Sequence, residues 1–262
     1  MLQLIQIEAN KMTTYKQWHD ENFTFNTETK LYFCQCDMNH KLSMQEVLRL
    51  TTNCAVEDFA QRGMTWQFLA DNHVAILVSR SAFRFHKLPK ADDVITVSTW
   101  EEKAQPLQLM RNYKITSQSG ELLVSGYGAW ILVDPVQKRI LRTKDFTLRP
   151  ESTRFDGHDC MEPGKIIAPQ QMQSLGEREI HFSEIDGNGH VNNANYMAFV
   201  MDALPAEYQQ KEFTDLRINY AKEAMLGTKL SLTAAYETEA KKIVVVGKTD
   251  EGVCFESELY YK

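Results

Sequence analysis

Ser183-Glu184-Ile185-Asp186-Gly187-Asn188-Gly189-His190-Val191-Asn192-Asn193-Ala194-Asn195-Tyr196 is a polar, glycine-containing stretch that leads directly into an apolar helical pattern. From Tyr196 onward, apolar residues recur at the spacing of an amphipathic helix with one buried face, which predicts a helix over residues 193–204. Asn192 or Asn193 is a natural N-cap for this helix. The pattern therefore predicts a polar loop that a packed helix holds in place.

This loop carries a carboxylate, an amide and an imidazole at alternate positions, Asp186, Asn188 and His190. In an extended loop the three side chains would point the same way. The two intervening glycines let the backbone turn or approach a ligand closely. Free N–H groups at the helix start, near Asn192 and Asn193, would favour an anion or a developing oxyanion. The stretch is therefore a candidate catalytic site.

The order of predicted elements around this loop occurs twice in the chain. In the first half, an extended segment over residues 21–36 precedes a helix over residues 43–62, which Ser43 and Glu46 open as a capping box. Strands are predicted at residues 74–85, 94–100, 107–116 and 122–133 in the first half, and at 178–183, 213–220, 229–237, 241–248 and 253–261 in the second. One long helix among antiparallel strands, repeated, predicts an α+β fold with two similar domains.

Two local echoes support a duplication. Asp37-x-Asn39 lies 149 positions before Asp186-x-Asn188, and the strand that begins at Val94 corresponds to the one that begins at Lys229. Residues 135–177 contain four prolines and little apolar periodicity, as an interdomain connection should. We therefore predict a first domain over residues 1–134, a linker over 135–177 and a second domain over 178–262.

The two copies differ where chemistry would occur. In this alignment Leu88 occupies the position of Glu223, and Lys41 occupies the position of His190. The second half is therefore predicted to carry the active site, and the first half a degenerate one.

At these residues the chain resembles a known family. Asp186-Gly187-Asn188-Gly189-His190-Val191-Asn192-Asn193-Ala194-Asn195-Tyr196 resembles the second-half motif of acyl-acyl carrier protein thioesterases, which have two hotdog domains in one chain. Residues 217–223 resemble the family's second conserved segment, an aromatic and basic run that ends in a functional glutamate. Residues 89–100 and 128–133 resemble strands of its first domain. The resemblance covers roughly residues 20 to 262.

The resemblance implies two tandem hotdog domains, each a curled antiparallel sheet around a central helix, and hydrolysis of fatty acyl-acyl carrier protein. It implies that Asp186, Asn188, His190 and Glu223 are the functional set. It also implies that the first half shapes the acyl tunnel. Ala224 stands where plant relatives commonly carry a cysteine, which excludes a thiol nucleophile at that position.

Thioester hydrolysis needs a nucleophile, stabilisation of the oxyanion and a proton for the departing thiolate. Either Asp186 or Glu223 can act as base toward water or attack directly to form an anhydride, and the residues leave this choice open. Asn188 and the helix-start N–H groups suit the carbonyl, and His190 can move a proton near neutral pH. Each residue also has an ordinary structural reading: a turn with an N-cap, a packed histidine and a solvated glutamate.

Three rival functions share these features. An acyl-CoA thioesterase would act on the same pantetheine thioester. A non-catalytic acyl-binding hotdog protein would retain the fold, although Glu223 and His190 would be superfluous to simple binding. A hotdog dehydratase would also use histidine with a carboxylate. A basic arm or helix-turn-helix that would indicate a regulator is not visible in the sequence.

Composition limits the other classes. The chain has 262 residues and a net charge of −6, which argues against nucleic acid as a partner. No apolar run is long enough to span a bilayer, and residues 1–7 lack a basic signal-peptide region, so we expect neither a leader nor a membrane anchor and a cytoplasmic location. Five scattered cysteines fit reduced thiols. We expect no cofactor and no metal ion, because a single histidine is weak for zinc.

An acidic chain that binds the acidic acyl carrier protein needs a local basic patch. The candidate docking residues are Lys138, Arg139, Arg142 and Lys144 around the linker entry and Lys222 nearer the site. The fused domains supply the pairing that single hotdogs obtain by dimerising, so a monomer or a homodimer is expected. The first-half residues Met44, Phe59, Met64, Trp66 and Phe68 are predicted to lie in the core.

Overall fold

The computed structural model describes residues 16–262, so the expectation drawn from residues 1–7 lies outside them. The described strands are β1 Lys16–His19, β2 Phe25–Lys30, β3 Ala75–Phe85, β4 Val94–Glu101, β5 Leu109–Ser117, β6 Leu122–Asp134, β7 Arg139–Leu141, β8 Gln173–Glu179, β9 Phe213–Tyr220, β10 Lys229–Glu237, β11 Lys242–Thr249 and β12 Gly252–Tyr261. The described helices are α1 Met44–Gln61, α2 Trp66–Asp71, α3 Asn195–Ala203 and α4 Ala206–Gln209.

The described strands form one antiparallel sheet that contains two copies of the same motif. Its order is β1-β2-β4-β5-β6-β3-β9-β12-β11-β10-β8, with β7 paired to β6. The two halves read in mirror order from the β3–β9 junction, and each half carries one longer helix, α1 or α3. Ala82 pairs with Arg217, which lies 135 positions later, the same offset as from Leu88 to Glu223. The predicted α+β tandem hotdog fold is confirmed.

Helix α1 is the centre of the first half. Its apolar face, which includes Val47, Cys54 and Phe59, is buried against the sheet. Ser43 caps the helix, since its side chain accepts the Glu46 backbone N–H at 3.2 Å. The predicted capping box is only half formed, because the Glu46 carboxylate pairs with Arg49 instead of reaching back to Ser43.

Three first-half predictions were wrong in detail. The extended segment predicted over residues 21–36 is a strand only over Phe25–Lys30, and Phe33–Gln35 form a 3₁₀ turn. Trp66 and Phe68 were predicted core residues, but both lie exposed on α2. A six-residue helix is too short for its apolar periodicity to show which face is exposed. Trp66 and Phe68 were therefore assigned to the core on their aromatic character alone. The remaining three predicted core residues are buried.

In the second half the structure shifts three boundaries. The strand predicted over residues 178–183 is β8, Gln173–Glu179, and Phe182–Glu184 form a 3₁₀ turn. Among residues 16–262, β8 pairs with β10 alone, at the edge of the sheet, and its side chains are largely polar and give no apolar signal. The helix predicted over residues 193–204 spans Asn195–Ala203. The predicted linker contains β7 and the start of β8.

No helix within residues 16–262 has both the length and the apolar character needed to cross a membrane.

A buried charge network fixes α1 to the sheet. Asp58 of α1 is 2% exposed and receives Arg111 Nη1 at 2.8 Å, Arg62 Nη2 at 2.9 Å and His19 Nε2 at 3.0 Å. Burial alone would raise the pKa of Asp58, but the Arg111 and Arg62 guanidinium groups outweigh it and hold the pKa below its usual value. Glu101 pairs with Arg62 and Arg149 in the same network.

Replacing Asp58 by Ala should destabilise the protein strongly. The substitution removes the shorter of the two ion pairs of the buried Arg111 guanidinium and leaves Glu101 Oε1 at 3.7 Å as its carboxylate partner, and breaking a buried pair typically costs about 3–5 kcal/mol. Urea unfolding of Asp58→Ala measures this loss, and Glu57→Ala is the control because it removes a carboxylate from the same helix outside the network. Glu57→Ala should change the free energy of unfolding by no more than about 0.5 kcal/mol. Equal losses in both variants would contradict the assignment.

Candidate active site

The loop that was predicted to be extended is a tight turn. The Asp186 N–H donates to the His190 carbonyl at 2.9 Å, and the Gly189 N–H donates to the Asp186 carbonyl at 3.0 Å. Asp186 Oδ1 accepts the Asn188 backbone N–H at 2.8 Å, the geometry of an Asx turn. Gly189 has φ of 88°, which favours glycine. The side chains therefore converge because the chain turns, and the predicted strand-like alternation was wrong.

The first half contains the same turn at the corresponding position. Asp37 Oδ1 accepts the Asn39 backbone N–H at 2.8 Å. His40, which corresponds to Gly189, has φ of 61°. The predicted echo between the two copies is thus confirmed at the level of backbone conformation.

The His190 imidazole lies between two carboxylates. Its Nε2 is 3.2 Å from Glu223 Oε1, and its Nδ1 is 3.9 Å from Asp186 Oδ1. The His190 and Asp186 side chains are 21% and 25% exposed, whereas that of Glu223 is 59% exposed. The structure therefore brings together the three ionisable residues of the predicted set, with Glu223 the most accessible to water.

Backbone pairing explains why Glu223 meets a loop more than thirty residues away. Glu223 follows β9, and the neighbouring Lys222 N–H donates to the Val253 carbonyl at 3.1 Å. On the other side, the Val191 N–H donates to the Ala224 carbonyl at 3.0 Å, and His190 forms an isolated bridge with Met225. The segment after β9 is therefore held between β12 and the Asx turn.

These side chains line a small cavity at the junction of the two halves, which we call the site cavity. Its volume is about 130 Å³. The second half contributes Asp186, Asn188, His190, Val191, Asn193, Tyr196, Tyr220, Ala221, Lys222 and Glu223, and the first half contributes Leu77, Val78, Ser79 and Ile131. The site thus has a polar wall from one domain and a largely apolar wall from the other.

The two asparagines at the helix start have different environments. Asn192 Oδ1 accepts the Ala194 N–H at 3.1 Å and so caps the turn before α3. The N-cap of α3 itself is Ala194, which has no capping side chain, so the predicted N-cap at Asn192 or Asn193 was wrong. Asn192 does not line the site cavity, but Asn193 does. Within residues 16–262, neither the side chain nor the backbone N–H of Asn193 has a hydrogen-bond partner. Asn193 is therefore the better placed of the two to donate to an oxyanion.

Sequence reasoning did not identify the residues behind the site. Tyr196 and Tyr220 face each other at 6.1 Å, and Tyr196 packs on Phe255 at 4.9 Å. Burial raises the pKa of both tyrosines, so they stay protonated and cannot act as bases. The helical pattern predicted that Tyr196 lies on a buried face, which is correct, but it did not indicate that Tyr196 or the partly buried Tyr220 borders a polar site.

Asn195 is a second residue that the sequence did not single out. Its Oδ1 accepts Gln45 Nε2 at 2.7 Å and Arg49 Nη2 at 3.2 Å from α1. Its Nδ2 donates to the Glu184 carbonyl at 2.9 Å, at the beginning of the site loop. Asn195 therefore connects the long helix of one half to the site of the other.

The candidate docking residues lie in two places. Lys138, Arg139, Arg142 and Lys144 are exposed on and beside β7. Lys222 lines the site cavity and donates its ammonium hydrogen to the Glu251 carbonyl. Across residues 16–262, no cluster of three or more His, Cys, Asp or Glu side chains is arranged to hold a metal ion.

Comparison with family models matches both halves of the chain. The model described as the acyl-ACP thioesterase N-terminal domain matches residues 22–149, and that for the C-terminal domain matches residues 168–254. A chloroplastic palmitoyl-acyl carrier protein thioesterase of Gossypium hirsutum is 23% identical over 66% of this chain and 44% of its own length. A chloroplastic oleoyl-acyl carrier protein thioesterase 2 of Arabidopsis thaliana is 21% identical over 58% and 44%. The chain spans less than half the length of these curated relatives.

Solved structures share the fold along nearly the whole chain. An acyl-ACP thioesterase from Bacteroides thetaiotaomicron superimposes with a TM-score of 0.77 at 23% identity, covering 92% of this chain and 99% of its own. The 12:0-ACP thioesterase from Umbellularia californica gives a TM-score of 0.76 at 13% identity, covering 91% and 97%.

The different environments of Asn192 and Asn193 can be tested by stability. Asn192→Ala removes the cap of the turn before α3 and should lower the free energy of unfolding by about 1 kcal/mol. Asn193→Ala should change it by no more than about 0.5 kcal/mol, because its side chain makes no hydrogen bond within the described residues. Urea unfolding measures both variants. A larger loss in Asn193→Ala than in Asn192→Ala would reverse the assignment.

Proposed function

Because the chain belongs to the acyl-acyl carrier protein thioesterase family, we propose that it hydrolyses fatty acyl-acyl carrier protein to free fatty acid and holo-carrier protein. The observation that carries this proposal is the position of His190 between Glu223 and Asp186, on the wall of a cavity that both halves line. The relatives named above are thioesterases of this substrate class. A cytoplasmic location and a monomeric or homodimeric state stay predictions from the sequence.

Glu223 is the proposed base. Its carboxylate is more exposed than that of Asp186, so a water molecule can reach it from solvent. Asp186 Oδ1 is already committed to the Asx turn and faces His190 Nδ1 at 3.9 Å. The geometry therefore supports different roles for the two carboxylates: Glu223 accepts the proton of the attacking water, and Asp186 positions His190.

His190 is the proposed proton carrier. The oxygen of water bonds to the thioester carbonyl carbon while its proton goes to Glu223. When the tetrahedral intermediate collapses, the carbon–sulfur bond breaks and the pantetheine thiolate needs a proton. Glu223 Oε1 lies 3.2 Å from His190 Nε2, so this proton can pass through the imidazole to the sulfur. Carboxylic acid and thiol are the products, and the enzyme returns to its starting protonation state.

Asn193 and Asn188 are the proposed donors to the oxyanion. Both line the site cavity, and neither side-chain amide has a hydrogen-bond partner among the described residues. Preorganised donors of this kind stabilise charge that develops in the transition state without having to reorganise. The backbone N–H of Asn193 adds a donor that a side-chain substitution would leave intact.

The first half supplies the apolar side of the site. Leu77, Val78 and Ile131 come from β3 and β6 and face the polar wall. An acyl chain attached to the reacting carbonyl needs such a surface, because apolar burial contributes about 0.8 kcal/mol per methylene. We therefore propose that the chain runs toward the first half, on the side where α1 packs.

Acyl-CoA is the alternative substrate, since it presents the same pantetheine thioester. Four exposed cations favour the carrier protein as substrate: Lys138, Arg139, Arg142 and Lys144. This chain has a net charge of −6, so a local basic patch is what would allow the acidic carrier protein to dock on it. A small CoA molecule bound at the site would not need a patch of this extent.

Turnover should depend on His190 and Glu223. Glu223→Gln and His190→Ala should each lower kcat for acyl-carrier-protein hydrolysis by about 10²–10⁴-fold, because each removes a proton-transfer group. Thiol release from acyl-carrier-protein and acyl-CoA series of several chain lengths measures the rates. Asp250→Asn is a matched control, since it neutralises an exposed carboxylate outside the cavity. Full activity in both site variants, or turnover of no substrate by wild type, would refute the proposal.

Charge reversal on β7 should affect only the carrier-protein substrate. Arg139→Glu with Arg142→Glu should raise KM for acyl-carrier protein by about tenfold at low salt and leave KM for acyl-CoA nearly unchanged, because only the protein partner touches this surface. Lys248→Glu is the control for an exposed charge elsewhere. Equal changes for both substrates would exclude this docking face.

A further inference from the structure

The pairing of the two halves creates a second cavity at the position that corresponds to the site cavity. It has a volume of about 770 Å³ and lies between the start of α1 and one side of α3. We call it the second cavity. It is lined from the first half by residues of the Asx-turn loop, the start of α1 and the segment after β3, and from the second half by residues of α3 and of the segment before β9.

Its residues correspond to those of the site cavity by fixed offsets. Lys41 precedes His190 by 149 positions, as Asp37 precedes Asp186. Leu88 precedes Glu223 by 135 positions, and Val78 of the site cavity precedes Phe213 of the second cavity by the same number. Each cavity is therefore built from one half's Asx turn, the segment after that half's junction strand, and the junction strand of the other half.

The second cavity lacks the proposed hydrolytic groups. Leu88 replaces the carboxylate of Glu223, and Lys41 replaces the imidazole of His190. A thioester bound there would meet no base that corresponds to Glu223. The cavity can therefore hold a ligand but not hydrolyse it by the proposed route.

Part of the wall of the second cavity is apolar. Leu88, Ala198 and Met201 are half-buried at this wall and offer it apolar surface, whereas Leu42 and Met197 are fully buried. The volume of the cavity falls in the range of about 300–1,000 Å³ that is typical of small-molecule pockets. An apolar wall in a cavity of this size is suited to a hydrocarbon chain.

The rim of the cavity carries one more lysine than carboxylates. Lys41, Lys87, Lys90 and Lys211 contribute four lysines, and Asp37, Asp202 and Glu212 contribute three carboxylates. Two of these carboxylates are already engaged: Asp37 accepts turn N–H groups, and Glu212 pairs with Lys262 at 2.5 Å. The ammonium groups of Lys41 and Lys90 have no ion-pair partner within residues 16–262. These two cations are available to an anionic group at the cavity mouth.

We propose that the second cavity binds an amphiphile that consists of an acyl chain and an anionic head, and that it holds this ligand without hydrolysis. The chain lies along Leu88, Ala198 and Met201, and the head pairs with Lys41 and Lys90. A fatty acid carboxylate and the phosphates of an acyl-CoA share this chemistry. Because α3 lines the second cavity and begins at the end of the site loop, a bound ligand contacts the helix that starts with Asn195, two residues after the proposed oxyanion donor Asn193.

Calorimetric titration with laurate, below its micelle concentration, tests the proposal in a Glu223→Gln background that does not turn over. We expect a laurate to bind in the second cavity. Lys41→Glu with Lys90→Glu should weaken its binding by at least tenfold, because these substitutions reverse both head-group cations. The matched control, Lys229→Glu with Lys248→Glu, reverses two exposed lysines of the second half and should retain the binding.

Further variants and ligands distinguish a specific site from general adsorption. Ala198→Trp fills the second cavity without a change of charge and should remove the same laurate, while urea unfolding confirms that the variant folds. Dodecanol, which lacks the anionic head, should bind there at least tenfold more weakly. Competition with lauroyl-CoA identifies the source of the anionic head. Displacement of this laurate at a lower concentration of lauroyl-CoA than of competing laurate indicates the phosphates of acyl-CoA, and the opposite order indicates the fatty acid carboxylate.

Failure to bind laurate, or binding that survives the Lys41→Glu and Lys90→Glu substitutions, would overturn the proposal. These outcomes are independent of the proposed function, because the titration measures binding without turnover. If the wild type released no thiol, the proposed enzymatic function would be refuted and the proposed ligand site in the second cavity would be unaffected. If the wild type released thiol but laurate binding failed these tests, the proposed ligand site would be refuted and the proposed function would be unaffected.

Discussion

The pairing of β3 with β9 is the interaction on which the rest of the structure depends. It joins two half-sheets into one and aligns Ala82 with Arg217, the same position in each copy. An ion pair between Arg84 Nε and Asp215 Oδ1 at 2.8 Å reinforces it. Because the junction strands run antiparallel, each half's site-forming segment lies beside the other half's strand. A cavity with walls from both halves therefore forms twice, and one chain obtains two related pockets.

Comparison of the two pockets within one molecule distinguishes residues that maintain the fold from residues proposed to act in catalysis. The Asx turn is present in both copies, at Asp37 and at Asp186, so that aspartate has a structural duty wherever it occurs. His190 and Glu223 occur only in the second copy, where they approach within 3.2 Å. This contrast supports Glu223 as the base more directly than an argument from either residue alone. The turn formed by Asp186 and the role proposed for it beside His190 are compatible, because its Oδ1 serves both.

The sequence predicted those features that follow from local pattern or from repetition. Apolar periodicity identified α1 and most strands, and the two Asp-x-Asn motifs identified the duplicated turn. It missed what depends on distant partners. β8 is polar because it lies at a sheet edge, and Val78 joins the site only through the β3–β9 junction. The predicted alternation along the site loop was wrong because the Asp186 side chain closes a turn, a local competitor to extended backbone.

Asn195 shows how the two halves act as one unit. It is 8% exposed, and each of its amide atoms is used: Oδ1 accepts from Gln45 and Arg49 of α1, and Nδ2 donates to Glu184 at the start of the site loop. Buried polar groups that are fully paired fix a single arrangement, because any shift leaves one of them unsatisfied. Since α1 is itself held to the sheet through Asp58, the position of the site loop is set by the half of the protein that lacks the proposed catalytic residues.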